Sequence, residues 1–389
     1  MLYRLLLMRL FQSANVLGVI LTLYYRAHGL NYVQILSFEI VLSVAMVIMT
    51  VPLGLWADRH GRVRALQWGN VSFVAGAVVF VVARHYWQFL LSDLLYGVGF
   101  AWQSGADTAL LAPGGTVWFA RYQAASAIAG VVSSLLAGAV LQARGMHVLV
   151  ILNLMMAVAA LLSVVTLREQ SPTILRGTST GRPWAHAGQA LQTLRRAPWI
   201  VAWSIAAAIG FRLVAINLFF LDLPLWVDRG WHGIWLGLGV AVLYAAGWAG
   251  LLVPAMAARM GKLNTLILAQ VGMGGLLMML PRYGSPVVVM LIMGSALALQ
   301  SWQGPLVNAA ITTAVPDRVR VTVLSLLDLP ALGVAVIGEV GVGLLADVHL
   351  SWAIVASGGL VMAAIPLWWV RPRSKSDRGD GSEPKTAQA

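Results

Sequence analysis

The sequence contains no cysteine, and only 10% of its 389 residues are charged. Without cysteine the chain has no disulfide, no thiolate metal site and no thiol redox switch. A soluble domain is about a quarter charged, so the shortage of charge indicates a membrane protein. Neither a His-Glu-x-x-His metal motif nor a nucleotide-binding P-loop occurs. We therefore expect a protein that is not an enzyme, that uses no cofactor and that takes its energy from a proton gradient.

Apolar residues dominate instead, since 59% of the chain is hydrophobic and the mean hydropathy is +0.81. About 20 apolar residues span a bilayer as a helix, and twelve such segments occur. They are 5–25, 31–55, 66–83, 86–110, 118–142, 148–167, 198–221, 234–257, 264–281, 285–310, 322–346 and 351–370. No small-residue cleavage site follows the first, which indicates a retained span rather than a signal peptide. The predicted fold class is an all-α membrane protein with twelve transmembrane helices.

The net charge of +12 is distributed unevenly across these spans. If the charged loop 58–65 is placed inside, only five loop residues of basic character fall outside: Arg26, Arg84, Arg144, Arg229 and Arg282. Basic loops stay on the cytoplasmic side of a membrane. We therefore predict a multi-pass membrane protein with both termini in the cytoplasm. The same bias explains the basic composition without nucleic acid as a partner.

An internal repeat divides the chain into two halves. The segment 57–62, Ala-Asp-Arg-His-Gly-Arg, recurs 200 positions later as Ala-Ala-Arg-Met-Gly-Lys at 257–262. Each copy follows the second span of its half, a pattern that transporters often show. The predicted domains are an N-terminal six-helix bundle (1–167), a cytoplasmic linker (168–197), a C-terminal six-helix bundle (198–370) and a disordered cytoplasmic tail (371–389).

Charged residues inside membrane spans are costly and mark functional positions. Those predicted here are Arg9, Glu39, Asp93, Asp107, Arg212, Asp328 and Glu339, with Asp222 at the outer end of span seven. Spans three, six, nine and twelve carry none, which indicates that these four face lipid. From the rise of a helix, Glu39 and Asp93 lie about 10 Å below the outer surface. Arg212 and Glu339 lie in the same outer half, so the cation and the carboxylates could pair.

Three of these acids are candidates for proton coupling: Glu39 first, then Asp93 and Glu339. Carboxylates in apolar, partly wetted surroundings can exchange protons near neutral pH. The alternative for Glu39 is a permanent ion pair with Arg212 or a hydrogen bond between helices, because structural networks also keep charges inside membranes.

Polar residues of spans one, four, seven and ten are predicted to line a cavity for a partly apolar solute. The set is Arg9, Gln12, Gln103, Arg212, Asn217, Gln300, Trp302 and Gln303. Arg9, Gln12 and Ser13 share one face of span one because they are three and four residues apart, and this face is expected to look into the cavity. The alternative for the amides is a hydrogen bond that bridges two neighbouring spans.

The segment 54–66 is a charged turn between two apolar spans, and Gly54 and Gly61 suggest close backbone packing in it. In a twelve-span chain this turn resembles the signature loop of the major facilitator superfamily of secondary transporters. The residues that carry the resemblance are Gly54, Asp58, Arg59, Gly61 and Arg62. Residues 104–111 resemble the end of helix four in exporter-like bacterial members, and residues 316–325 resemble their entry to helix eleven.

The resemblance implies two bundles that rock about a central site lined by helices 1, 4, 7 and 10. It also implies that Asp58 lies at the N-terminus of helix eleven, where the helix dipole favours an anion, and that Arg59 or Arg62 reaches Asp107. We call these four residues the cytoplasmic latch; the alternative for them is anchoring at lipid headgroups. The second half has Ala258 in place of the acid, and helix five lacks the Gly-Pro signature of drug antiporters.

Three functions are compatible with this sequence. The first is a proton-coupled exporter, an antiporter that removes a small amphipathic or drug-like solute from the cell. The second is uptake of a small polar or anionic solute, for which Arg9 and Arg212 would be suited. The third is a membrane protein that does not transport and serves as a sensor or as the partner of a lipid-processing enzyme. The expected partners are a small-molecule substrate and the lipid bilayer, with the chain acting as a monomer.

Overall fold

The computed structural model describes residues 1–111, 115–167, 183–315 and 317–370. Within these ranges the chain forms helices joined by short turns, and no strand occurs. The first half contains α1 (Leu2–Ser13), α2 (Leu21–Ala27), α3 (Tyr32–His60), α4 (Arg62–Val82), α5 (Tyr86–Gln103), α6 (Ala106–Leu111), α7 (Gly115–Arg144) and α8 (Met146–Val165). The second half contains α9 (Pro183–Arg196), α10 (Pro198–Ile216), α11 (Asp222–Asp228), α12 (Ile234–Ala246), α13 (Val253–Met260), α14 (Lys262–Met279), α15 (Pro286–Ala314), α16 (Asp317–Val348) and α17 (Leu350–Ala363).

The helices confirm the predicted fold class. Each of the twelve predicted spans coincides with one helix or with two helices interrupted by a short break. In the described part of the chain, nine helices are long and apolar enough to cross a bilayer, or ten if the pair Leu2–Val19 and Leu21–Ala27, bent by 50°, is one span. The protein is therefore an all-α, multi-pass membrane protein.

Four of the spans are interrupted inside the membrane region. Span one breaks between α1 and α2, and span four breaks at Ser104 and Gly105, where Gly105 has a φ of 79°. Span seven passes from α10 to α11 through a π-helical turn, Asn217–Leu221. Span eight passes from α12 to α13 through a 3₁₀ segment, Gly247–Leu252. Such breaks leave backbone groups outside the regular helical ladder, where other groups must satisfy them.

The predicted charged loop at 58–65 is wrong as a loop, because α3 continues through His60 and α4 begins at Arg62. The connection is Gly61 alone, whose φ of 109° is strained for any residue with a Cβ atom. Gly261 has a φ of 82° at the repeated position between α13 and α14. The close packing expected at Gly54 is also absent, since a Cβ atom there would meet nothing within 4 Å.

The predicted linker contains a helix, α9, that begins at Pro183 and ends at Arg196. Leu194 of this helix is buried and belongs to a core cluster of the second half with Trp199 and Trp203. The rest of the linker, residues 168–182, and the tail, residues 371–389, lie outside the described residues, and the domain boundaries stay predictions.

The two halves share one hydrophobic core at one end of the molecule. We call this the distal end; it carries the turns after α2, α4, α7, α11, α14 and α16, and the opposite, terminal end carries Met1 and Val370. The shared core joins Tyr25 and Phe89 of the first half to Trp226 and Val342 of the second. Two other clusters near the terminal end each belong to a single half. The halves are therefore packed together at the distal end and have separate cores at the terminal end.

Two helix pairs approach each other closely in the contact between the halves at the distal end. On one side, Gly237 of α12 faces Gly138 of α7 so closely that a Cβ atom on Gly237 would lie 2.7 Å from the Gly138 Cα. On the other side, a Cβ atom on Gly343 of α16 would lie 3.2 Å from the Cα of Val33 in α3. Small residues permit this close approach of helices inside a membrane.

Candidate functional site

An ion-pair cluster joins the two halves within the membrane. Arg212 of α10 places its Nη1 atom 2.7 Å from Oε1 of Glu39 in α3 and 3.7 Å from Oε1 of Glu339 in α16. Its Nη2 atom donates to the hydroxyl of Ser43, one turn after Glu39. The sequence placed the Arg and both Glu residues at one depth, and the structure shows that they meet. We call Glu39, Ser43, Arg212 and Glu339 the central cluster.

Exposure differs sharply between the members of the central cluster. The side chain of Glu339 is 1% exposed, whereas those of Glu39 and Arg212 are 29% and 21% exposed. Two carboxylates share one guanidinium, so the cluster carries one excess negative charge when both are ionised. A low-dielectric site disfavours an uncompensated charge, and one bound proton would make the cluster neutral.

Asp93 lies beside the central cluster in the first half. The hydroxyl of Tyr25 in α2 donates to Oδ2 of Asp93 at 3.3 Å, and Glu39 is close enough for its charge to repel that of Asp93. The close contact of α3 with α5 at Gly97, where a Cβ atom would meet the Leu42 carbonyl, holds the two acids at one level. Two acids thus contact Arg212, and a third, on another helix, contacts Tyr25.

Two of the amides of the predicted cavity, those of Gln300 and Gln303, bridge helices. Gln303 donates to Gln270 of α14, and Gln300 donates to the Phe211 carbonyl of α10 at 3.4 Å. Gln103 is buried, and its Cγ atom would lie 3.0 Å from a Cβ atom on Gly69 of α4. Gln300 and Gln303 match the alternative considered from the sequence, in which an amide joins two neighbouring spans. The Nε2 atom of Gln103, by contrast, is buried and makes no hydrogen bond with the described residues. The part of these amides in a cavity stays a prediction.

Trp302 and Asn217 lie at two of the breaks. The indole N–H of Trp302 donates to the Ala249 carbonyl at 3.0 Å, inside the 3₁₀ segment of span eight. Asn217 is fully buried at the start of the π-helical turn, where its amide nitrogen donates to the Leu213 carbonyl at 2.7 Å. At the breaks, carbonyl groups thus accept hydrogen bonds from side chains that the sequence predicts to line a solute cavity.

The polar face of α1 is turned toward α4 and α7. Gln12 donates to Asn70 at 2.9 Å, and Ser13 lies 2.7 Å from the Ser126 hydroxyl. The Arg9 guanidinium lies 5.1 Å from the centre of the Tyr122 ring, which is cation–π distance. The Nε atom of Arg9 is buried and makes no hydrogen bond with the described residues.

The cytoplasmic latch is described in part. Asp107 accepts a hydrogen bond from the Tyr122 hydroxyl at 3.0 Å, so it is tied to the helix that also contacts Arg9. Arg59 is exposed at the end of α3. The side chains of Asp58 and of the first residues of α16 lie outside the described set, and the latch stays a prediction.

The sequence missed several residues with defined partners. Asp347, at the end of α16, accepts hydrogen bonds from the backbone N–H groups of Tyr32 at 2.7 Å and Val33 at 3.2 Å. The sequence pattern does not single it out, because it lies just beyond the predicted span 322–346. Tyr25 and Tyr122 cannot be recognised from the sequence alone, because their partners Asp93 and Asp107 lie on other helices.

Comparisons with known proteins agree with this architecture. A family model described as the Major Facilitator Superfamily matches residues 5–329. The sequence matches no functionally curated protein.

Solved structures of transporters resemble the fold over nearly its whole length. The nucleoside transporter NupG is 14% identical, with a TM-score of 0.70 over 95% of this chain and 99% of that one. A D-xylose–proton symporter is 14% identical, with a TM-score of 0.71 over 95% and 97%. A bacterial homologue of the human lysosomal transporter Spinster, inward-facing and unoccupied, is 17% identical, with a TM-score of 0.67 over 94% of both chains. At such identities the likeness concerns the fold.

Proposed function

The chain belongs to the Major Facilitator Superfamily, and from this premise we propose that it is a proton-coupled secondary transporter that exports a small amphipathic or drug-like solute by alternating access. The observation that carries the proposal is the central cluster, in which Glu39 of one half meets Arg212 and Glu339 of the other. A rocking motion that separates the halves at the distal end would break this contact. Coupling then follows, because the carboxylates lose their counter-cation when the halves part.

The proposed cycle uses the asymmetry between the two ends. The shared core and the Asp347 contacts keep the distal end closed in this state. If the distal end faces outward, as the distribution of basic residues predicts, the structure is an inward-facing state in which the solute enters from the cytoplasm. Opening of the distal end would expose Glu39 and let it take up a proton as the solute leaves.

The remaining assignments are part of the same proposal. The protein lies in the bacterial inner membrane with both termini in the cytoplasm and acts as a monomer without cofactor or nucleic acid. Residues 1–167 and 198–370 are the two moving bundles, and residues 168–197 join them. The cytoplasmic latch would close the terminal end when the distal end opens.

The test is flux in proteoliposomes with an imposed pH gradient and a panel of amphipathic, sugar-like and anionic solutes. We expect at least one amphipathic solute to move against its gradient in exchange for protons. In Glu39→Gln, which resembles a permanently protonated side chain, movement should lose its response to the pH gradient while facilitated flux remains. Undiminished coupling in Glu39→Gln would exclude this residue, and absence of flux for every solute under every gradient would contradict transport itself.

Uptake of an anionic solute is the second candidate function, and the surroundings of Arg9 favour it. Arg212 is already engaged by two carboxylates, whereas Arg9 has a buried Nε without a described hydrogen bond and contacts a neutral ring. Arg121 offers a matched control, because its guanidinium lies at the same 5.1 Å from the Trp118 ring but is exposed. Loss of anion uptake in Arg9→Gln but not in Arg121→Gln would favour this candidate.

A further inference from the structure

The π-helical turn of span seven brings two buried polar residues together. The backbone N–H of Asp222 donates to the carbonyl of Asn217, five residues earlier. This bond places the two residues one turn apart, one above the other along the helix axis. Both are fully buried, at 0% exposure. Turns of this kind inside α-helices occur frequently at functional sites.

Three oxygen acceptors of these side chains have no donor. Neither Oδ1 nor Oδ2 of Asp222 accepts a hydrogen bond from the described residues, and the same holds for Oδ1 of Asn217. The backbone N–H groups of Asp222 and Leu223 lie near the carboxylate but do not reach hydrogen-bond geometry. An ionised carboxylate buried without a partner is strongly disfavoured. Some positive species must therefore accompany it.

The elements packed against the turn do not supply that charge. On α2, the Tyr25 hydroxyl is bonded to Asp93, Arg26 donates to the Leu30 carbonyl, and the Tyr24 ring stacks on Phe80. Helix α17 contains no titratable residue. Helix α12 contacts Trp226 of α11, and its Tyr244 hydroxyl accepts a hydrogen bond from Asn15.

The charged groups of the same span are also directed elsewhere. Arg212, ten residues before Asp222, belongs to the central cluster. Arg229 donates to the Pro281 carbonyl at 3.3 Å, and Asp228 is exposed at the end of α11. The carboxylate thus has no countercharge among the described residues.

We propose that Asn217 and Asp222 form a binding site for one small monovalent cation, a proton or Na⁺, separate from the central cluster. The role of this site in coupling rests on the proposed transport function, whereas the binding of a cation does not. A proton would sit on the Asp222 carboxyl, whose O–H would donate to Oδ1 of Asn217. A sodium ion would take the carboxylate, the amide oxygen and backbone carbonyls that the turn leaves outside the regular ladder. The complete burial excludes hydrated and organic cations.

Access to the site follows from a contact between the halves. Thr22 of α2 donates to the Phe219 carbonyl, in the middle of the π-helical turn, at 3.0 Å. This hydrogen bond belongs to the contact that closes the distal end. When the halves separate there, the turn loses its cover, and the cation would load from the distal side. The transporter would then carry a second coupling ion besides the proton of the central cluster.

The experiment reads the carboxyl group directly and needs neither solute nor transport. Infrared difference spectra of the full chain in liposomes would be recorded from acid to alkaline pH, with Na⁺ or with the inert cation N-methylglucamine. Beside any band from the central cluster, we expect one protonated-carboxyl band that is present in wild type and in Asp228→Asn, the exposed control six residues away, and missing in Asp222→Asn. Loss of the band on adding Na⁺ at constant pH identifies sodium, and loss with rising pH alone identifies the proton.

The opposite results are equally clear. A band that persists at every pH with either cation shows a permanently neutral carboxyl. Identical spectra for wild type and Asp222→Asn show that the band does not arise from Asp222. Either result overturns the proposal. If Asp222→Asn does not fold, Asn217→Leu keeps the carboxyl and should shift the midpoint of the band by about tenfold in cation concentration. An unshifted midpoint would overturn the proposal as well. Failure of the flux assay would contradict only the transport function.

Discussion

The carboxylate of Asp347 accepts a hydrogen bond from the backbone N–H of Tyr32 at 2.7 Å and so ties the last turn of α16 to the first turn of α3. The same carboxylate accepts from Val33 at 3.2 Å. An anion at a helix N-terminus is favoured by the helix dipole and by the free N–H groups. The family resemblance implies the mirror image of this contact, with Asp58 at the end of α3 against the N-terminus of α16. One helix pair would then carry an acid-to-N-terminus contact at each end.

Removal of the distal contact should shift the molecule toward a state that is open at that end. In Asp347→Ala two charge-assisted hydrogen bonds are lost, about 1–2 kcal/mol, which corresponds to roughly a tenfold change in population. Spin labels on Arg84→Cys and Arg282→Cys, in distal turns of the two halves, would report the distance between them, and no native cysteine interferes. Asp228→Ala is the control, since it removes an exposed acid at the same end. Equal distance distributions in both variants would contradict the contact's role.

Replacement of Arg212 should cost more stability when Glu39 and Glu339 are present than when both have been replaced as well. Arg212→Gln leaves Glu39 and Glu339 without a counter-cation inside the membrane, and we expect a lower melting temperature in detergent. The triple variant with Glu39→Gln and Glu339→Gln should recover most of the loss, because coupled groups deviate from additivity by about 0.5–3 kcal/mol. Strictly additive losses of stability would show that the three side chains act independently.

The close contact of α7 with α12 should tolerate no added methyl group. In Gly237→Ala the Cβ atom would collide with the backbone of Ser134 and Gly138, so the helices must separate and the distal end should open or lose stability. Gly275→Ala in α14 is the matched control, since its Cβ atom would meet nothing within 4 Å and alanine favours a helix by about 1 kcal/mol. The melting temperature and the distal spin-label distance would be measured. Equal values in the two variants would contradict the role of this contact.

Trp302 distinguishes a helix-bridging role from a solute-binding role. Trp302→Phe removes the N–H that serves the Ala249 carbonyl and keeps the aromatic ring, so stability should fall by about 1 kcal/mol. If the residue only satisfies the 3₁₀ segment, the KM for a transported solute should stay unchanged. A changed KM at unchanged stability would place Trp302 in the solute cavity.

Much of the fold could be predicted because its signals are long and physical. Twelve apolar stretches and a repeat of 200 positions predict the number and the order of the spans. The depth of Glu39, Arg212 and Glu339 predicts that they can meet. The breaks could not be predicted in the same way. The stretch 217–221 reads Asn-Leu-Phe-Phe-Leu, with neither glycine nor proline to mark a π-helical turn, and its conformation depends on tertiary contacts such as the one with Thr22.

The hydrogen-bond partners of polar side chains are harder to predict from the sequence than the breaks in the spans. The sequence around Gln12, Gln300 and Gln303 does not show whether their side chains face a solute or a neighbouring helix. A rotation of the helix by one residue position decides between the two. The charged turn at Gly61 shows a related limit. A run of charged residues is typical of a loop, but these residues continue the helices on both sides, and only one glycine changes the direction of the chain.

The interrupted spans have a consequence for how the interior would respond to mutagenesis. Spans one, four and seven, which the family resemblance places around the solute, are all broken within the membrane region. Carbonyl and N–H groups released at such breaks remain when a side chain is replaced. An alanine scan of the interior would therefore underestimate the polar groups that a solute or an ion can contact, and replacing single peptide bonds by esters would be needed to find the rest.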